Sequence, residues 1–344
     1  MDDAMLSPIP VKKILSILLT YQCNAQCENC GTLSSPNNKV RLTLEDVHLA
    51  INQAANLDYQ LIVFTGGEAT LYKKELISGI KKANECGLPV RLVTNAHWAK
   101  SMDPARKIVK RLLDAGLTEI NFSTGDQHTR FVPLENVMNA SLAAVEHGLP
   151  VTIMCEIFRD RSITKSFIEN HHTFKEIIYS YPNGIINIIE SPWMSIDTNP
   201  SYHYPDGLTK NRDNLPVVKG CDSVLSTTTL LANGNIAACC GIGMRKIPEL
   251  QLGNIDKMTL MEADQSAESD FLKRWIKVEG PERILAWASK HDPDIKWENM
   301  YAHQCQACFR LYKDEKVRQI IRKYHQEKMA DVLFSEWLLH HYTK

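Results

Sequence analysis

The stretch Ile14-Leu15-Ser16-Ile17-Leu18-Leu19-Thr20-Tyr21-Gln22-Cys23-Asn24-Ala25-Gln26-Cys27-Glu28-Asn29-Cys30 carries a structural signal and a chemical one. Its first part, Ile14–Leu19, is short and nearly all apolar, as expected of a strand buried on both faces of a parallel sheet. Its second part is polar and spaces three cysteines as Cys23, Cys27 and Cys30. In parallel α/β architectures the loop at the C-terminal end of a strand is where active sites sit. Three thiolates so close together suit an iron–sulfur cluster. Three ligands on a four-iron cube leave one iron without a protein ligand, as an open catalytic zinc position does. Taken alone, the triplet also fits a zinc site with a fourth ligand such as His48 or His97.

Working outward, the first strand proves to be one of six. Leu61–Phe64, Val90–Thr94, Glu119–Phe122, Val151–Ile157 and Ile185–Ile189 repeat its pattern, with amphipathic helices between. Thr43 with Asp46 makes a capping box ahead of Val47, Ile51 and Ala54. Asp103 followed by Pro104 reads as an N-cap and first helical residue. Gly87, Gly116 and Gly148 suit left-handed helix ends. Gly87-Leu88-Pro89-Val90 returns as Gly148-Leu149-Pro150-Val151, an internal echo of one βα unit. Six such units fit an open (β/α)6 TIM-like barrel better than a closed eightfold one.

Phe64-Thr65-Gly66-Gly67-Glu68 directly follows the second strand. The CX3CX2C spacing after a first strand, with Gly-Gly-Glu after the second, resembles the radical S-adenosylmethionine (SAM) superfamily. The resemblance implies a [4Fe–4S] cluster on Cys23, Cys27 and Cys30, with SAM chelated at its open iron. It implies that Gly66, Gly67 and Glu68 receive the methionyl amino group of SAM. Strand-end residues Thr94, Asn95, Ser123 and Glu156 stand where that family places ribose and carboxylate contacts. The family's residue just before the third cysteine is usually aromatic and packs near the adenine. Here it is Asn29, a departure that touches the adenine contact and not the cluster.

Beyond Glu190 the pattern changes. Residues 191–215 are rich in Pro, Asn, Tyr and Asp and read as a linker or substrate loop, with a domain boundary near 195. Leu225–Leu231 and Asn235–Cys239 flank Asn233-Gly234, a strong hairpin signal. Glu262–Val278, Pro281–Ser289, Lys313–Lys328 and Ala330–His341 read as helices. Cys305 and Cys308 form a CX2C pair, a common half-site for zinc or iron–sulfur ligation. A hairpin brings its ends together, so Cys221 and Cys239 can join that pair in one four-thiolate site. The layout resembles the Twitch domain, a shortened auxiliary-cluster module of radical SAM enzymes, and so implies a second [4Fe–4S] cluster; structural zinc is the other reading. The expected organisation is a partial barrel over 1–195, a Twitch-type hairpin and helix domain over 196–312, and C-terminal helices over 313–344.

Adjacent residues of a strand point to opposite faces. Cys239 is therefore assigned as ligand and Cys240 as a free thiol beside the cluster, or the two exchange roles. Radical SAM peptide epimerases use such a thiol to quench a Cα radical, and Cys240 resembles it; a small buried hydrophobe is the plain alternative. Asp126 and His128 can orient substrate and Arg130 can meet a carboxylate, unless that loop is merely solvated. Cys155 reads as core and Cys86 as structural. His171 and His172 read as a solvated helix face, and Trp193 as core or the wall of a substrate loop.

Composition limits the alternatives. The 344 residues are 44% apolar and 23% charged, with a net charge of −1. No basic excess exists to draw a polyanion, so nucleic acid is not an expected partner. No run approaches the length of a membrane helix, and the first residues carry acids rather than a basic signal region. A cytoplasmic protein is expected, and its ten cysteines read there as metal or redox ligands before disulfides. The resemblance implies reductive cleavage of SAM to a 5′-deoxyadenosyl radical, with an electron from a flavodoxin or ferredoxin. The preferred substrate is a ribosomally made precursor peptide and the preferred reaction Cα epimerisation. No domain of peptide-recognition size precedes the first strand, which weighs against a peptide. The alternatives are small-molecule dehydrogenation of the sugar-alcohol type and peptide cross-linking.

Overall fold

A computed structural model describes residues 13–195, 202–215 and 220–342. The expected boundary at 195 and part of the 191–215 loop border on or fall within 196–201, outside the described residues. Six strands, β1 (Ile14–Leu18), β2 (Leu61–Thr65), β3 (Val90–Thr94), β4 (Glu119–Thr124), β5 (Val151–Ile157) and β6 (Ile186–Pro192), pair in parallel in sequential order. β1 and β6 do not pair with each other, so the barrel is open. Helices α1 (Leu44–Asn56), α2 (Lys73–Glu85), α3 (Met102–Asp114), α4 (Asp126–Thr129), α5 (Leu134–Val145), α6 (Lys165–Glu169) and α7 (His172–Ser180) fill the crossovers.

Burial alternates along the strands. In β2, Ile62 and Phe64 are buried against the helices while Leu61, Val63 and Thr65 are only half-buried; β3 and β4 repeat this. In these three strands the expectation of burial on both faces fails because the inner face lines the open barrel; β1, buried from Leu15 to Leu18, meets it. One core cluster joins Leu15, Ile17, Phe64, Leu92, Phe122 and Ile153 to the helices. Thr43 and Asp46 make the expected capping box on α1. α3 begins at Met102 with Ser101 as N-cap, so Asp103 is not the cap; it lies in the first turn, where a carboxylate still meets the positive helix end. Gly87 and Gly148 share a φ of 73°, the backbone form of the sequence echo.

The second half does not form a separate sheet. Strand β7 (Thr227–Leu230) pairs in parallel with β1, in register Ser16↔Thr229. β8 (Asn235–Ala237) pairs antiparallel with β7, and β9 (Gln251–Asn254), unread in the sequence, pairs with β8. The hairpin thus extends the barrel sheet to nine strands. The expected single helix over Glu262–Val278 is two, α8 (Leu260–Ser269) and α9 (Phe271–Glu279). Asp270 breaks it by leaving helical geometry and accepting from the Leu272 and Lys273 N–H groups. α10 (Pro281–His291), α11 (Gln304–Lys313), α12 (Glu315–Tyr324) and α13 (Gln326–Tyr342) complete the chain. They pack a second core around Trp275, Trp297 and Tyr301. His171 is the N-cap of α7, accepting from the Thr173 N–H, and not part of a solvated helical face.

Candidate active site: two groups of cysteines

The loop after β1 folds back on itself. Tyr21 N donates to Val40 O, Leu42 N to Leu19 O and Cys23 N to Ser35 O. This holds Cys23, Cys27 and Cys30 together as half-buried free thiols at the C-terminal edge of the sheet. Asn95 Nδ2 lies 3.7 Å from Cys23 Sγ, and Thr32 Oγ1 lies 3.3 Å from Cys30 Sγ. Cys27 Sγ lies 3.7 Å from Gln127 O. Burial pushes the Cys23 and Cys27 thiols up to about 12, with neighbouring carboxylates and thiols adding to the shift. A metal that stabilises the thiolate form compensates for this desolvation.

Gly66 and Gly67 let two loops touch. A Cβ on Gly67 would stand 2.1 Å from Gln22 O, and one on Gly66 2.6 Å from Thr20 O. Gly67 N donates to Thr20 O and Glu68 N to Gln22 O, tying this turn to the cysteine loop. Glu68 is 1% exposed and its carboxylate points inward. It accepts from Thr70 N and Oγ1, from Thr94 Oγ1 at 2.8 Å and from Asn95 N at 2.8 Å. Four donors thus engage this carboxylate, and its visible work is to hold Thr94 and Asn95 beside the cysteines.

Glu156 is placed similarly. It is buried and accepts from Gln127 N, His128 N and His128 Nδ1. Gly125 makes this possible, since a Cβ there would stand 2.6 Å from the Glu156 carboxyl carbon. Ser123 is half-buried on β4; the adjacent Thr124 hydroxyl is buried without a hydrogen-bond partner among the described residues. Asp126 differs from its expected role. Its two oxygens accept from Ser162 N and Ile163 N, both at 2.7 Å, so it ties down the next loop instead of facing substrate. Arg130 donates to Gln127 Oε1.

Cys221, Cys239, Cys305 and Cys308 line one hollow, backed by Val224, Ile247 and Ile276. Cys305 and Cys308 reach it from the first turns of α11, which His303 caps by accepting from Cys305 N. Burial pushes Cys221 and Cys305 up to about 11, and Cys239 and Cys308 well above the ordinary thiol value. Among the described residues no three His, Cys, Asp or Glu side chains converge as they would around one ion. Cys240 does not line the hollow. It is exposed, with Sγ 3.2 Å from Ser223 Oγ, which also accepts from its N–H. Many atoms surround this accessible thiol, and that desolvation raises it while Ser223 pulls the other way.

The segments that carry the two groups touch. A Cβ on Gly31 would meet Ile242 at 2.7 Å. Arg245 lies 3.5 Å over the Tyr21 ring and donates to the Thr32 and Leu33 carbonyls. Tyr204 joins them again, donating to Trp193 O and accepting from Gln306 Nε2. Arg245 and Tyr204 went unread in the sequence. The glycines flanking the run from Gly241 to Arg245 were the only signal for the first, and nothing local marked the second.

The model of the Radical SAM superfamily matches residues 17–160. Residues 17–160 form a radical SAM domain. The match runs from β1 through the three cysteines and Gly66-Gly67-Glu68 to the end of β5. YydG of Bacillus subtilis strain 168, named as a peptide biosynthesis protein, is 29% identical over 163 residues, 46% of this chain and 49% of its own. The chain therefore spans about half the length of that relative. A GTP 3′,8-cyclase of Aquifex aeolicus strain VF5 is 24% identical over 278 residues, 66% of this chain and 81% of the relative. A PqqA peptide cyclase of Bradyrhizobium diazoefficiens is 28% identical over 116 residues, 33% of this chain and 28% of the relative. The solved structure of native anSMEcpe with bound AdoMet and Cp18Cys peptide superposes with a TM-score of 0.53 at 14% identity. It covers 95% of this chain and 99% of that one. The likeness extends the shared fold past the radical SAM domain to the second cysteine group.

Proposed function

We propose that this chain is a radical SAM enzyme that modifies a ribosomally made peptide, with Cα epimerisation as the reaction. The observation that carries the reaction is the division of labour between adjacent cysteines. Cys239 faces the four-thiol hollow, while Cys240 is exposed outside it and hydrogen-bonded to Ser223. Support for the peptide class comes from the similarity to YydG and to the PqqA peptide cyclase. The donor set of Cys23, Cys27 and Cys30 fits a [4Fe–4S] cluster with one open iron. When bound there with SAM, the reduced cluster supplies a 5′-deoxyadenosyl radical able to take hydrogen from an unactivated carbon.

The chain's own residues then have defined tasks. Gly66 and Gly67 press their turn against the cysteine loop, and their backbone edge is the place for the methionyl ammonium. Glu68 positions Thr94 and Asn95, and Glu156 positions His128. Ser123 completes the row of strand-end groups. Cys221, Cys239, Cys305 and Cys308, four thiols spread around one hollow, suit an auxiliary [4Fe–4S] cluster, in which each thiolate meets a different iron. Cys240 would give a hydrogen atom to the substrate Cα radical, and the sulfur radical left on Cys240 would return to the thiol by taking one electron from the same external reductant and one proton from solvent. A flavodoxin or ferredoxin is the electron donor, and the chain acts in the cytoplasm; no helix of the described residues is long and apolar enough to cross a membrane.

The test uses anaerobically reconstituted protein with dithionite, SAM and a synthetic peptide from a short reading frame beside the gene. Cys240→Ala is expected to release 5′-deoxyadenosine and yet lose epimerised product. In D2O the wild type is expected to leave solvent deuterium at the inverted Cα. Epimerisation by the Cys240→Ala protein would overturn the assignment. A product two hydrogens lighter would favour oxidation instead.

A further inference from the structure

Asn29 stands immediately before Cys30, yet its backbone is left-handed, with φ at 55°. Asn tolerates that region; a bulky aromatic side chain there is a strained outlier. The loop geometry therefore disfavours an aromatic ring at position 29. The Asn29 side chain is not idle. Its Nδ2 donates to the hydroxyl of Tyr202 at 3.1 Å. Tyr202 in turn packs on Phe158, ring centroids 5.7 Å apart and 48° between planes. Phe158 directly follows β5. At the same end of β6, Trp193 donates its indole N–H to Glu28 O at 3.1 Å and sets its ring edge-on to His128. Three aromatic rings, all half-buried, thus stand on one side of the Cys27–Cys30 turn. Two of them are hydrogen-bonded to the residues just ahead of Cys30.

We infer that Tyr202, tethered by Asn29 and backed by Phe158, is the surface on which the adenine of SAM stacks. This rests on the proposed SAM-binding site and specifies its base end. A ring brought from a distant segment replaces the one this loop lacks. A half-buried tyrosine held at its hydroxyl keeps its face for a planar partner, and base–aromatic stacking is insensitive to the edge groups of the base. Asn29 is then a positioning residue that sets the ring plane, and Trp193 holds the Glu28 peptide against the same wall.

The probe is S-adenosylhomocysteine, which carries the adenine, with L-methionine as a ligand for the other end. Both are titrated calorimetrically into reconstituted, iron-assayed protein. Tyr202→Ala is expected to weaken S-adenosylhomocysteine about tenfold, the range of one lost stacked base. It is expected to leave methionine affinity and iron content as in the wild type. Tyr202→Phe keeps the ring and should stay within about twofold, since only the tether to Asn29 is lost. Unchanged S-adenosylhomocysteine binding by Tyr202→Ala would overturn the assignment. So would an equal loss of both ligands, which marks a merely structural role. So would unchanged S-adenosylhomocysteine binding with weakened binding of the synthetic peptide, which would give the wall to the substrate. If iron-loaded wild type bound neither small ligand, the SAM site itself would fall first, a result distinct from any of these.

Discussion

Glu68 shows how little a residue's motif says about its posture. Its carboxylate is buried and accepts from Thr70, Thr94 and Asn95. Removing it leaves several buried donors unsatisfied, so Glu68→Ala should cost about 2–4 kcal/mol of unfolding free energy, read by urea titration. A cost below about 0.5 kcal/mol, the level of an ordinary surface change, would show that these bonds do not exist in solution. Gly67 makes a sharper case. Any Cβ there collides with the Gln22 peptide, which is backbone and has little room to move. Gly67→Ala should therefore lose the iron held by Cys23, Cys27 and Cys30 and keep any iron of the proposed auxiliary site. Iron per chain equal to wild type would contradict the contact.

Elements carry a different kind of information. The break between α8 and α9 rests on Asp270, which caps α9 and pairs with Lys273. Asp270→Ala should destabilise by about 1 kcal/mol, as loss of an N-cap usually does, without altering iron content. A cost near zero, or a loss of iron, would show that the cap is not what holds this corner. The CX2C pair was legible as a ligand pair, but its setting on the first turns of α11 was not. Helix geometry places residues three apart on one face, which is what lets Cys305 and Cys308 reach one hollow. The hairpin around Asn233-Gly234 was equally legible. Its parallel pairing with β1 was not, because no local signal specifies which edge a strand joins.

Across the whole molecule the buried thiols set the response to pH. Cys23 and Cys27 are raised to about 12, and Cys221 and Cys305 to about 11. An unfolded thiol titrates near 8.5, so between these values the folded apo chain holds more protons than the unfolded one. Stability then falls as pH rises. The metal-free protein should lose stability from about pH 8.5 upward, while the iron-loaded protein, whose thiolates are already ligated, should not follow that slope. Urea unfolding of both forms at pH 7 and pH 10 checks this; parallel losses would refute it. The segments that carry the two cysteine groups also meet, through Gly31 against Ile242 and through Arg245 on Tyr21. If the proposed auxiliary cluster is there, Cys308→Ala should remove its iron while 5′-deoxyadenosine release persists, slowed rather than abolished.

The sequence by itself determined the βα repeat, the cysteine triplet, the CX2C pair and the hairpin. Those features follow from periodicity and spacing, which are local properties of the chain. Tertiary structure alone decided that Asp126 ties down a loop, that Glu68 and Glu156 face inward, and that Tyr202 meets Asn29. Each of these depends on which distant backbone donors or rings arrive beside a side chain, and hydrogen-bond satisfaction in a packed interior is settled only when the whole chain closes around it. The loop that opened the reading shares in both. Cys23, Cys27 and Cys30 announced a metal site by their spacing. Asn29 between them made sense only once its left-handed backbone and its distant aromatic partner were in view.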